Sequence, residues 1–164
     1  MKAAVLTLSD KGSRGQREDE SGRVIAEMLK SIGFEIADYE ILPDEKEMIK
    51  DALVRLSGNV NLIITTGGTG LSPRDVTPEA TREVIEKEIP GIPEAMRSYG
   101  LMKTKRAMLS RAVAGVRGKT LIINLPGSPK GVREGLEAIM DALPHAIEKI
   151  CGGDAECAIE EGNR

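Results

Sequence analysis

Hydrophobic positions along this chain follow two periods in turn. The run at 3–8 is continuously apolar and short, which suits a strand buried on both faces. From Asp19 to Ile32 the period is helical: Val24, Ile25, Met28, Leu29 and Ile32 share one face, and Gly33 stops the helix. Residues 34–42 alternate and read as a second strand nearer a sheet edge. Pro43 to Glu47 opens the next helix, striped by Met48, Ile49, Ala52, Leu53 and Leu56 and closed by Gly58. A third strand spans 60–66. Thr77-Pro78-Glu79 starts another helix, with Thr77 as N-cap and Pro78 at the first helical position. Residues 91–102 predict a further helix, and 112–116 and 119–124 two strands separated by Arg117-Gly118. Ser128-Pro129 caps a long final helix whose apolar face runs from Val132 to Ile150, with a kink at Pro144.

Strands separated by helices predict right-handed crossovers. The fold class is therefore α/β: a three-layer sandwich with a mainly parallel twisted sheet and helices on both faces. One domain covers 1–151, and 152–164 forms a polar tail. Ligands of such sheets bind at the carboxyl ends of the strands. Four loops should share that rim: Ser9-Asp10, Pro43-Asp44, 67–75 and 126–128.

Each loop has a chemical and a plain reading. Gly67, Gly68 and Gly70 allow close backbone approach and suit a phosphate cradle, or form a tight turn only. Their spacing is neither a Walker A loop nor a dinucleotide fingerprint. Asp44 and Asp75 could converge on Mg²⁺, which takes few carboxylates and keeps waters. Alternatively, Asp44 caps a helix with Glu47 three residues on, and Asp75 is a turn residue or pairs with Arg74. Ser128 leaves the amides of a helix start facing the rim, with Lys130 adding charge. Ser110-Arg111 supplies an anion contact, or Arg111 is a solvated surface residue.

Composition narrows the partners. A net charge of −3 over 164 residues shows no polyanion bias, so nucleic acid is not expected as the main partner. One Phe, two Tyr and no Trp leave little for base stacking. No apolar run approaches membrane-span length, and 3–8 is too short for a signal-peptide core, so a cytoplasmic protein is expected. The single histidine, His145, excludes His-rich zinc sites and reads as structural. Cys151 and Cys157 read as reduced thiols.

Taken together, Leu8-Ser9-Asp10, Leu42-Pro43-Asp44-Glu45, Thr65 to Gly70, Arg74 to Ala80, Pro90-Gly91, Leu109-Ser110-Arg111 and Asn124 to Lys130 stand in one order. In these stretches the chain resembles the molybdopterin adenylyltransferase family of molybdenum cofactor biosynthesis (MogA/MoaB type). The resemblance implies a nucleotidyltransferase that moves AMP from ATP to the terminal phosphate of molybdopterin, with Mg²⁺ as cofactor and pyrophosphate as product. It implies Asp44 and Asp75 as catalytic, metal-organising carboxylates. It implies ligand contacts at Ser9, Asp10, Gly67, Gly68, Thr69, Gly70, Ser110, Asn124, Pro126, Gly127 and Ser128. It also implies a homotrimer or hexamer that serves a downstream metal-insertion enzyme. A non-catalytic molybdopterin-binding module or pterin carrier is the alternative, with a nucleotide-cleaving relative behind it. Some relatives carry a longer, histidine-rich tail that this sequence lacks.

Overall fold

A computed structural model describes residues 1–153. In chain order the elements are β1 (Lys2–Leu8), α1 (Asp10–Ser13), α2 (Glu20–Ser31), β2 (Glu35–Leu42), α3 (Lys46–Ser57), β3 (Leu62–Thr66), α4 (Thr77–Val84), β4 (Lys87–Glu88), α5 (Gly91–Leu101), β5 (Ala114–Arg117), β6 (Thr120–Leu125), α6 (Pro129–Ile139) and α7 (Leu143–Ile150). The sheet order is β2-β1-β3-β6-β5-β4. β2, β1, β3 and β6 run parallel, and β5 and β4 join antiparallel. The antiparallel edge follows from the short Gly118-Lys119 connection, which leaves no room for a crossover; Gly118 has φ 56°.

The fold class holds: helices cover both faces. Ala3, Val5, Ile64 and Ile123 pack under α2, α6 and α7. Ala4, Leu6, Ile63 and Ile122 pack under α3 and α4. The alternation along β1 explains both cores, since successive side chains point to opposite faces.

Four local expectations change. Thr77 is not an N-cap; Val76 holds that position, and the Thr77 hydroxyl donates to the Gly67 carbonyl at 2.9 Å. Met48 is 46% exposed and lies off its helix stripe. The final helix breaks into α6 and α7 at Met140–Ala142. Pro144 has no N–H for the Met140 carbonyl, which the Leu143 amide takes in the tighter pattern instead. α1 and β4, each a turn or less in length, carry no periodic signal and were not expected. Cys157 lies outside the described residues; Cys151 is exposed.

Candidate active site

The chain leaves β1 for β2 on one side and returns to β3 on the other. This reversal is the switch point where open α/β sheets form a crevice. The loops after β1, β2, β3 and β6 meet there.

The glycine turn is fixed by its surroundings. Gly67 sits at φ 98°, and a Cβ there would run into the Leu8 carbonyl oxygen. Gly68 sits at φ 65°, and a Cβ would crowd the Thr77 hydroxyl and stand 3.2 Å from Asp44 Oδ1. Only glycine fits both the backbone and the space. The Gly67 amide donates to the Leu125 carbonyl at 3.2 Å, so that amide is not one of an anion's donors. Thr66 Oγ1 donates to the Pro126 carbonyl and Ser21 Oγ to the Gly127 carbonyl, both at 2.7 Å. The two strand-to-helix turns are thereby tied to each other and to α2.

Asp44 is not a helix cap. Glu45 occupies that position without a side-chain bond. Instead Asp44 and Asp10 clasp reciprocally: the Asp10 amide donates to Asp44 Oδ2 at 3.1 Å, and the Asp44 amide to Asp10 Oδ1 at 3.0 Å. Arg74 reaches across to Asp10 at 2.9 Å and to Glu45 at 2.9 Å. The Arg74 guanidinium holds the Asp10 carboxyl below its usual range. Burial pushes Asp44 up, and the nearby charges of Asp10 and Asp75 push it further. The Asp75 carboxylate accepts the Ser72 amide at 2.9 Å, and Gly70 lies beside it, where a Cβ would stand 2.9 Å away.

Two clefts open on the rim. The first, about 630 Å³, carries Ser9, Asp44, Gly67, Gly68 and Asp75 on its wall, with Asp19 and Ser21 from the start of α2. The second, about 670 Å³, carries Thr69, Gly70, Ser110 and Pro126, with Met96 and Arg97 from α5. Gly68, Asp75, Gly127 and Ser128 line both. The shared wall thus joins two compartments of small-molecule size.

Comparison with known proteins shows the family. The family model described as "Probable molybdopterin binding domain" matches residues 4–145. The chain belongs to this family. It is 45% identical over 152 residues to the molybdopterin adenylyltransferase of Helicobacter pylori strain J99, covering 90% of this chain and 86% of that protein. It is 39% identical over 177 residues to the Escherichia coli K12 molybdopterin adenylyltransferase, covering 98% and 90%. The crystal structure of the molybdopterin biosynthesis enzyme MoaB from Thermus thermophilus superposes with a TM-score of 0.87 at 55% identity, covering 92% of this chain and 96% of that one.

Within this domain, most of the residues singled out from sequence line one cleft or both. Asp10 stands behind Asp44 rather than in the wall. Asn124 is placed differently. It is fully buried, its amide donates to Thr65 Oγ1 at 3.0 Å and Thr81 Oγ1 at 2.9 Å, and its carbonyl accepts the Val113 amide at 3.1 Å. Both donors are spent inside the fold, so Asn124 braces β3, β6 and α4 and does not face a ligand. Ser128 caps α6, accepting the Gly131 amide at 3.1 Å. Lys130 is exposed beside the second cleft, 3.8 Å from Glu134. Sequence reasoning missed Asp19, Ser21 and Arg97. Asp19 could have been read as the cap of α2, whose Gly22 amide it accepts at 2.9 Å, but nothing in the pattern aims that cap at the rim.

Proposed function

We propose that this domain transfers AMP from ATP to the terminal phosphate of molybdopterin, releasing pyrophosphate. The observation that carries the reading is the shared wall of Gly68, Asp75, Gly127 and Ser128 between two clefts, with Asp44 beside it. The names of the relatives support the same substrates. A pterin phosphate oxygen forms a bond to the α-phosphorus of ATP, and the bond from that phosphorus to the β-phosphate's bridging oxygen breaks. Both reactants are anions, so the domain's task is alignment and charge neutralisation. The start of α6 brings a positive dipole end to the wall, and Ser128 orients it. Glycine at 68 lets a phosphate approach the backbone.

Asp44 and Asp75 fit a magnesium ion. Burial first, and then repulsion from Asp10 and Asp75, raises Asp44; a divalent cation would relieve that repulsion, and two carboxylates with waters and phosphate oxygens are a usual Mg²⁺ set. Bound Mg²⁺ supplies charge neutralisation on the phosphate oxygens.

The test mixes protein, molybdopterin and ATP with and without Mg²⁺ and measures pyrophosphate. Release only with all components is expected, and Asp75→Asn should cut it about 10²-fold or more with pterin affinity kept. Tight pterin binding without pyrophosphate would leave a non-catalytic binding module. We also read the protein as cytoplasmic and homo-oligomeric. No helix among the described residues is long and apolar enough to cross a membrane. Leu101, Met102, Met108 and Leu109 are 44–72% exposed, an apolar surface that a second copy would cover.

A further inference from the structure

Arg111 stands just before β5, between the second cleft and the outer side of the glycine loop. Its side chain is half-buried and lines neither cleft. Nε donates to the Gly70 carbonyl at 2.7 Å, and Nη2 donates to the Asp75 carbonyl at 2.8 Å. Nη1 pairs with the Glu79 carboxylate on α4. The Arg111 backbone amide donates to the Thr69 carbonyl at 3.0 Å. We propose that Arg111 is a positioning residue: it clamps both ends of the 70–75 loop and so holds Asp75 in the wall between the clefts, without touching either substrate.

The loop needs such a clamp. Residues 71–74 are exposed, and 70–75 contains no helix or strand. Its own bonds are few: the Asp75 amide to the Ser72 carbonyl at 2.9 Å, and the Ser72 amide to Asp75 Oδ2 at 2.9 Å. These close a tight turn, and Arg74 ties its crest to Asp10 and Glu45 across the rim. The Arg111 guanidinium holds the loop's two ends on the other side, because Gly70 begins the loop and Asp75 ends it. A planar fork can serve two carbonyls and a carboxylate at once, whereas an ammonium is a single point donor. Glu79 is the anchor of the fork: the Arg111 charge keeps its carboxyl below the usual range although burial acts the other way. With these donors turned onto protein acceptors, the guanidinium faces the loop and not an incoming phosphate.

The inference rests on the adenylyl-transfer reading, and its test separates the two. The full chain is compared with Arg111→Met, Arg111→Lys and Glu79→Gln. The readouts are kcat, KM for ATP and for molybdopterin, and amide hydrogen exchange over 70–76. Arg111→Met should lower kcat about 100-fold, since a small misplacement of a reacting group costs that much, with both KM values within about threefold. Exchange in the loop should speed up. Arg111→Lys should not restore kcat, and Glu79→Gln should fall between it and the native chain. If Arg111→Met does not fold, the other two variants decide. Native kcat in both folded variants overturns the proposal. So does a tenfold rise in KM with kcat retained, which would make Arg111 a direct phosphate contact. An inactive native chain refutes the transfer reading instead; unchanged loop exchange in the variants then still refutes the clamp.

Discussion

Replacing Asn124 by Ala tests whether this residue holds the fold or the ligand. The substitution removes two donors and one acceptor from a site with no solvent access. It leaves the Val113 amide and the hydroxyls of Thr65 and Thr81 without their partner. Each buried group left unpaired costs about 1–3 kcal/mol. The amide is fixed and bears the whole cost, while the two hydroxyls rotate and recover part of theirs. The sum is about 3–5 kcal/mol, a large share of the 5–15 kcal/mol or so that holds a typical domain. In urea, with a slope of about 2 kcal/mol per molar, the unfolding midpoint should fall by about 1.5–2.5 M. Thr81→Val supplies the check on mechanism: it should cost about 1 kcal/mol alone and close to nothing in the Asn124→Ala background. The folded fraction should keep native KM values. A loss below about 1 kcal/mol, or a raised KM at an unchanged midpoint, refutes the brace and returns Asn124 to the ligand site.

Three further outcomes follow from the same geometry. Gly67→Ala forces a side chain into a left-handed backbone position against the Leu8 carbonyl, and should cost about 1–3 kcal/mol or more in urea melts along with activity. Asp44→Asn should abolish turnover yet leave the protein at least as stable at neutral pH. The folded Asp44 value is raised, so its favourable contribution exists below its unfolded value and is lost as pH rises; the amide oxygen can still accept the Asp10 N–H, and thermal melts read the result. Glu83 is held down to about 2 by Lys46 and Lys50, below its ordinary 4.5. Its stabilising contribution is therefore present above 4.5 and lost as pH falls toward 2, so Glu83→Gln should lower the melting temperature at neutral pH and leave it unchanged at the acid end.

How much of this was legible in the sequence depends on the range of the interaction. β1, β3 and the stripes of α2 and α6 could be read because burial imposes a period on neighbouring residues. The rim could be read because parallel strands all end on the same edge of the sheet. The occupants of the rim were less legible. Asn124 stood among the ligand contacts that the family resemblance implied, and Arg111 was open between an anion contact and a solvated surface residue. For Asn124 a clue existed: it shares a strand face with Ile122, which packs under α3 and α4, and its register partner is Thr65. A polar residue on a fully buried strand face must find its partners inside, whatever lies at the strand's end. Arg111 offered no such clue. Beyond the Glu79 carboxylate, its acceptors are backbone carbonyls 36 and 41 residues away, and a carbonyl has no residue type to recognise. Side chains that bind substrate leave a chemical signature in sequence; side chains that bind the backbone of a catalytic loop leave almost none. The precision of this site therefore depends on a residue that pattern alone leaves open to a surface reading, and strand order β3-β6-β5 is what brings Arg111 within reach of Asp75.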